Sequence, residues 1–256
     1  MAHVTIADKQ LEYEWYGPSA EDGPTLVFLH EGLGCVSMWR KFPERLAAQT
    51  GCSALVYSRA GYGKSDPVAL PRPVRFMHEE ALATLPLVLD AFKIREAILV
   101  GHSDGASISI IYAGGTGDPR VRGLILEAPH VFVEEVGLER IRSISAEYRE
   151  CNLKQALARY HKQNVDATFW GWSDVWLNPE FGDWNIEEYL PEIKVPVLLL
   201  QGEDDGYGTI AQVRKIEGGC QGSVRTLMLP DSGHTPHLEQ PELTFDAMKK
   251  FVEEVS

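Results

Sequence analysis

The sequence is poor in cysteine, has no excess of positive charge and contains no long apolar run, and each shortage excludes something. Its four cysteines, Cys35, Cys52, Cys151 and Cys220, are scattered with no C-x-x-C spacing. They read as reduced, mostly structural thiols, which argues against a disulfide framework or a zinc site. No H-x-H or H-E-x-x-H spacing occurs either, so neither a metal nor another cofactor is expected. Lys and Arg number 24 against 37 Asp and Glu, a formal net charge of −13. A field of that sign repels nucleic acid and anionic lipid, and for the most part simply keeps a protein soluble. The longest apolar runs, such as Val195 to Leu200, are too short to cross a bilayer. The opening MAHVTIADKQ has no basic start and no apolar core, so no signal peptide is expected. A soluble cytoplasmic protein acting on a small molecule is the expectation, with no nucleic-acid or membrane partner and its oligomeric state open.

What is present fits one large domain with a modest insertion. At 256 residues, with 44% hydrophobic and 24% charged residues, the chain can bury a sizeable core without a metal or disulfide. Short β-rich runs alternate with helical patterns, which predicts a mostly parallel, doubly wound sheet. Val4–Ala7 and Leu11–Tyr16 form a leading hairpin around Asp8-Lys9. Six further strands are read at 25–30, 53–58, 97–101, 123–129, 196–202 and 224–230, making eight. Each of the six is apolar on nearly every residue, as for strands buried on both sides. Helices are expected over 38–49, 76–92, 106–112, 209–216 and 241–255. In the last of these, Leu243, Ala247, Met248 and Phe251 recur at helical spacing as core contacts.

The alternation breaks between Val131 and Pro191, where helical patterns continue without a buried strand. Residues 1–130 and 191–256 therefore read as an α/β core, and 131–190 as a helical cap or lid. Four of the six tryptophans, Trp170, Trp172, Trp176 and Trp184, fall in the insertion. These rings either line a site beneath a lid or form the insertion's own small core, and one tryptophan can serve both ends. Trp170, Trp172 and Trp176 are taken as candidate substrate contacts.

Gly101-His102-Ser103-Asp104-Gly105 is the strongest chemical signal. A bare G-x-S-x-G is weak, but this one follows the strand AILV and precedes residues that can open a helix. That context suits a strained turn that lifts a serine clear of the sheet. A serine hydroxyl needs an adjacent base. Among the downstream histidines His130, His161, His234 and His237, His234 follows the last strand, where a loop can reach back. His237 is its competitor, read as a surface or helix-start residue. The base needs a carboxylate on its other nitrogen. Asp205, three residues after Gly202, is favoured over Asp204 and Glu127. Donors for a developing oxyanion are expected from the backbone N–H of Asp104 and of Gly32, with Leu33 second.

These residues resemble the α/β-hydrolase superfamily over nearly the whole chain. His30-Glu31-Gly32-Leu33-Gly34 is similar to that family's H-G-x-G oxyanion segment, and Ser58 to Ser65 to its D-R-x-G-x-G-x-S turn. The Ser, Asp and His motifs follow in family order. The resemblance implies the α/β-hydrolase fold and a Ser103–His234–Asp205 triad. Two departures stand out: Glu31 replaces a glycine, placing a carboxylate beside the oxyanion loop, and Ser58 replaces the aspartate that usually anchors the second turn. Asp104, directly after the nucleophile, is similar to the valacyclovir-hydrolase-like branch, where an aspartate there recognises a substrate amine. Alternatively, it merely caps the helix. Glu31 and Asp104 are thus further candidate substrate contacts.

A carboxylesterase acting through an acyl-enzyme on a small ester is the leading expectation. A lactonase or an amino-acid-ester hydrolase would use the same groups. Carbon–carbon bond hydrolysis of ring-cleavage products is less favoured, since no polar groups for a dienolate can be identified. From a different class, a non-catalytic ligand-binding receptor could retain the scaffold.

Overall fold

The computed structural model describes residues 2–256. Eight strands form one sheet: β1 (Ala2–Ile6), β2 (Lys9–Tyr16), β3 (Thr25–Leu29), β4 (Ser53–Tyr57), β5 (Ala97–His102), β6 (Val121–Glu127), β7 (Val197–Gly202) and β8 (Val224–Leu229). Their spatial order is β1-β2-β4-β3-β5-β6-β7-β8. The β1–β2 and β2–β4 pairings are antiparallel and the others are parallel.

Helices cover both faces. They are α1 (Phe42–Thr50), α2 (Phe76–Glu79), α3 (Leu85–Ala91), α4 (Asp104–Thr116), α5 (Glu135–Glu150), α6 (Leu153–His161), α7 (Val165–Trp176), α8 (Ile210–Gly219), α9 (Pro236–Glu239) and α10 (Pro241–Val255). Alternate strand residues point to opposite faces, so the central strands feed two cores. Leu26, Phe28, Val56, Val100 and Leu198 pack against Leu46 of α1 and Phe245, Met248 and Phe251 of α10. Val27, Leu29, Leu55, Leu99 and Leu199 face Leu85 of α3, Ile108 and Ile111 of α4, and Val213 of α8. α4 is buried from Asp104 through Ala113, because it runs under the centre of the sheet.

The mostly parallel, eight-stranded, doubly wound sheet is the one expected. Several details differ. β8 is not buried on both sides: it is the sheet's edge, and Arg225 is exposed. Leu243 is 49% exposed and is no core contact, whereas Phe245, on the inner face of α10, is buried. No single helix runs over 38–49. A 3-10 turn (Val36–Trp39) ends at Arg40, whose φ is 53°, and α1 begins with Pro43 in its first turn, where a missing N–H costs nothing. A π-helical turn (Glu80–Thr84) divides α2 from α3 just before Pro86, which lacks the N–H a regular helix needs.

Between β6 and β7 lie α5, α6, α7 and short 3-10 turns. Apart from an isolated bridge, Phe132 to Asn185, no strand pairing occurs there among the described residues. This segment is tied to the loops after β3 and β4. Gly63 N–H donates to His161 Nδ1 (3.0 Å) and His161 Nε2 donates to Leu33 O (2.9 Å). Asn164 Nδ2 donates to Ser65 O (2.7 Å), and Thr168 Oγ1 to Gly61 O (2.8 Å). The carboxylate that Ser58 does not supply to this loop comes from Glu12 on β2. Its Oε2 accepts Ser58 Oγ (3.0 Å) and Lys64 N–H (2.9 Å), while Ser58 Oγ accepts Val36 N–H (3.0 Å).

Candidate active site

The strand-to-helix turn between β5 and α4 puts Ser103 at φ 52° and ψ −118°, a conformation costly for any residue with a Cβ. Its N–H continues the sheet by donating to Glu127 O (2.9 Å). Both flanking glycines are required by close approach. A Cβ on Gly101 would collide with the backbone of Ala106, and one on Gly105 with the carbonyl of Leu29. The turn is tight because α4 crosses directly over β3.

The loop after β8 brings His234 back over this turn. His234 Nε2 lies 2.9 Å from Ser103 Oγ, and its Nδ1 lies 2.9 Å from both carboxylate oxygens of Asp205. Since Asp205 accepts at Nδ1, the proton sits there and the Nε2 lone pair faces the hydroxyl. Asp205 also accepts from Gln201 Nε2 (2.7 Å) and Tyr207 N–H (2.8 Å). Burial would raise its pKa, but the His234 and Tyr207 hydrogen bonds outweigh that and lower it to about 2. Asp204 is exposed and makes no side-chain bond to His234. Glu127 is engaged elsewhere: its Oε2 accepts from His237 Nδ1 (2.8 Å). His237 does stand at a helix start, but at 5% exposure it is not a surface residue.

A cavity of about 190 Å³ opens beside Ser103, walled by Leu33, Ile141, Trp172, Trp176 and Tyr207 and reached by Glu31, Gly32, Asp104 and His130. The N–H groups of Gly32, Leu33 and Asp104 donate no hydrogen bond within the described residues. Gly32 lies so close under the Trp172 indole that any side chain would displace it. Asp104 is fully buried. Its Oδ1 accepts from Trp176 Nε1 (3.2 Å) and its Oδ2 has no hydrogen-bond partner among the described residues. Burial raises its pKa to about 6, against the pull of Arg59.

Of the tryptophans taken as substrate contacts, Trp172 and Trp176 reach the cavity and Trp170 does not. Four residues apart, Trp172 and Trp176 share one face of α7. Trp170 points elsewhere and packs on Tyr148 and Phe169 beneath the Arg149 guanidinium. Trp184 stacks on Phe181, with Trp176 alongside, and all three belong to the core that also holds Leu99 and Ile108, so the insertion has no separate core of its own among the described residues. The sequence reading assigned no role to His102, Tyr207 or Gln201, and His130, weighed there only as a possible base, lines the cavity instead. Gln201 and Tyr207 flank the favoured acid at short range, a signal that was available; nothing in a spacing marks His130.

The family model for the alpha/beta hydrolase family matches residues 26–247. The chain is 22% identical to a proline iminopeptidase of Lactobacillus helveticus, over 71% of this chain and 74% of that one. It is also 22% identical to a 2-hydroxy-6-oxo-6-phenylhexa-2,4-dienoate hydrolase of Comamonas testosteroni, over 93% and 91%. Among solved structures, an esterase from Exiguobacterium antarcticum superposes with a TM-score of 0.78 at 21% identity, covering 98% of this chain and 99% of that one. A family match over most of the chain, on an eight-stranded and mainly parallel sheet, leads to one conclusion: this chain belongs to the alpha/beta hydrolase family and is an enzyme.

Proposed function

We propose that the enzyme hydrolyses a small, largely apolar carboxylic ester through an acyl-enzyme. Ser103 is the nucleophile, His234 the general base and Asp205 the carboxylate that orients it. The observation that carries this reading is the continuous line from Asp205 through His234 to Ser103 Oγ, with 2.9 Å at each link. Ser103 Oγ attacks the carbonyl carbon as its proton passes to His234 Nε2. The oxyanion receives the N–H groups of Gly32 and Asp104, whose placement on the cavity wall without other acceptors supports that role. The imidazolium, stabilised by Asp205, protonates the departing alcohol. Water then attacks the acyl-enzyme with His234 again as base, releasing the acid and restoring Ser103.

The cavity sets the scale of the substrate. Its volume and its Leu33, Ile141, Trp172 and Trp176 walls favour a short acyl group, and residues 131–190 act as the cap above it. Ser103→Ala is expected to lower kcat on a nitrophenyl ester by four to six powers of ten, about the loss seen when a triad nucleophile is removed. A fluorophosphonate should label the native protein at Ser103 and fail to label this variant. Multiple turnover by Ser103→Ala above that range would overturn the assignment. The same panel should carry a lactone and a vinylogous diketone, since the groups named here serve lactones equally well.

One observation favours a narrower reading, hydrolysis of amino-acid esters. The Asp104 carboxylate is buried at the cavity with one oxygen unpartnered among the described residues, next to the carbonyl that Ser103 would attack. A protonated amine on the acyl side would complete it.

A further inference from the structure

Behind the serine lies a second imidazole–carboxylate pair that the reaction as written does not use. His102, the residue before Ser103, is 1% exposed. Its Nε2 donates to the backbone carbonyl of His234 (2.6 Å), and its Nδ1 stands 3.4 Å from Glu31 Oε2. The second separation is that of an ion pair and not of a close hydrogen bond. With Nε2 hydrogen-bonded and Nδ1 facing the carboxylate without a hydrogen bond among the described residues, the link to Glu31 is one of charge and holds only while the ring is doubly protonated. Burial by itself would lower the pKa of His102; the Glu31 carboxylate, with Glu127 and the His234 carbonyl, raises it to about 9. Glu31 is held correspondingly below the usual carboxylate range by His102, despite its burial.

Each end of this link is a loop that the chemistry needs held still. Glu31 immediately precedes Gly32. Its carbonyl accepts from Gly34 N–H (3.1 Å), Arg59 Nη2 (3.1 Å) and His30 Nδ1 (2.7 Å). Its carboxylate lies over Gly34, where a Cβ would displace it. At the other end the His102 ring is packed edge-on against His237, which stacks on Trp39 and is gripped by Glu127. The ring therefore cannot swing away from the His234 carbonyl.

We propose that Glu31 and His102 form a positioning strut joining the loop that carries the Gly32 N–H to the loop that carries His234, so that oxyanion donor and base keep a fixed separation. Neither residue takes a proton from substrate, and the strut serves whichever ester the cavity accepts. It rests on the function proposed above in two respects, that His234 is the base and that Gly32 N–H is an oxyanion donor.

A double-mutant cycle tests it, using Glu31→Gln, His102→Gln and the pair in the full-length protein. His102→Gln can still donate to the His234 carbonyl but carries no charge for Glu31. Because misplacing a reacting group by about 1 Å can cost about a hundredfold, each single variant should lower kcat by roughly ten- to a hundredfold. KM should stay within about twofold, and the pair should lose no more than the worse single variant. Multiplicative losses in the pair, or losses carried by KM, would overturn the proposal. So would full kcat in His102→Gln when melting confirms that it is folded. His102→Ala, which also abandons the His234 carbonyl, should lose more kcat than His102→Gln, and equal losses would count against the strut. Failure of the cycle leaves the Ser103→Ala result untouched. Failure of Ser103→Ala would instead remove the mechanism the strut supports, so the two outcomes are distinguishable.

Discussion

A carboxylate directly after a nucleophile alters what can bind beside the reacting bond. Asp104 contributes twice in the proposed reaction, through its N–H to the oxyanion and through its side chain to the acyl pocket, and substitution separates the two. Asp104→Asn keeps the backbone donor and an acceptor for Trp176 Nε1 but removes the charge. If the carboxylate pairs with a substrate amine, this variant should raise KM for a phenylalanine ester by about ten- to a hundredfold, as a desolvated charge-assisted bond worth about 1–3 kcal/mol would. KM for the corresponding phenylpropionyl ester should hardly move. With its pKa raised to about 6 by burial, the carboxylate is ionised above that pH, so native preference for the amino ester should grow as pH rises through 6. Parallel changes for both esters would dismiss the amine reading and leave Asp104 a structural acid. At this scale the sequence was informative wherever residue type and order carry chemistry. Ser103, Asp205 and His234 were nominated from strand-end motifs, and the coordinates bring their side chains within hydrogen-bond reach. His102 was passed over because it fills the unconstrained second position of G-x-S-x-G, where no spacing rule acts. Glu31 stood out as a departure, but its partner is about seventy residues away and no local pattern points to it.

At the scale of elements, the buried parallel strands were legible because each is a short, nearly unbroken apolar run. β8 shows the limit of that signal. Val224, Leu227 and Leu229 make it look like its neighbours, yet an edge strand is covered on one side only, and composition does not tell which strand ends the sheet. The insertion shows a different limit. Four tryptophans marked it as unusual, but only the phase of α7 decides which rings reach the cavity. Thr168, Trp172 and Trp176 share the face that meets the core, and Trp170 lies off it. From that phase, Trp172→Ala should destabilise the protein by about 3 kcal/mol, as for other large-to-small changes at buried sites. It should also open space above Gly32, so the ratio of kcat/KM for an octanoyl over an acetyl ester should rise several-fold. Trp170→Ala should leave that ratio unchanged to within about twofold, having removed only ring packing outside the cavity. A chain-length profile that shifts equally in both variants would mean that α7 acts as a rigid support and not as a wall of the acyl site.

Over the whole molecule, the formal charge of −13 governs solubility, but the buried histidines govern how the fold responds to acid. His30, His130 and His161 are all held neutral. Burial is the main cause in each, with Arg59 adding to it at His30 and His234 at His130, which is lowered to about 3. A histidine whose pKa is lower in the folded than in the unfolded state binds its proton more readily when unfolded. Each should therefore withdraw stability as pH falls below about 6.5, by roughly 1.4 kcal/mol per pH unit until its folded pKa is reached. Asp104 and Glu80 act in the opposite sense. Burial raises both, so they take up protons in the fold first and partly offset the loss between about pH 6 and 4. Below that range Asp205, lowered to about 2, and Glu31 add their own losses, and the decline should steepen. His102 contributes at the other end. Its pKa is raised to about 9, so the stability it adds is complete below its unfolded value and disappears as pH climbs through 9. One substitution isolates a single proton from this set. His161 clamps the insertion to the core by accepting from Gly63 N–H and donating to Leu33 O, and a glutamine amide can do both without titrating. Urea unfolding of His161→Gln at a series of pH values should give a stability that falls less steeply below pH 6.5 than in the native protein. The difference should be a shallower slope by at most one proton's worth, about 1.4 kcal/mol per unit, with little change near pH 8. An unchanged slope would mean that His161 takes up a proton as readily folded as unfolded, and the neutral clamp between insertion and core would have to be abandoned.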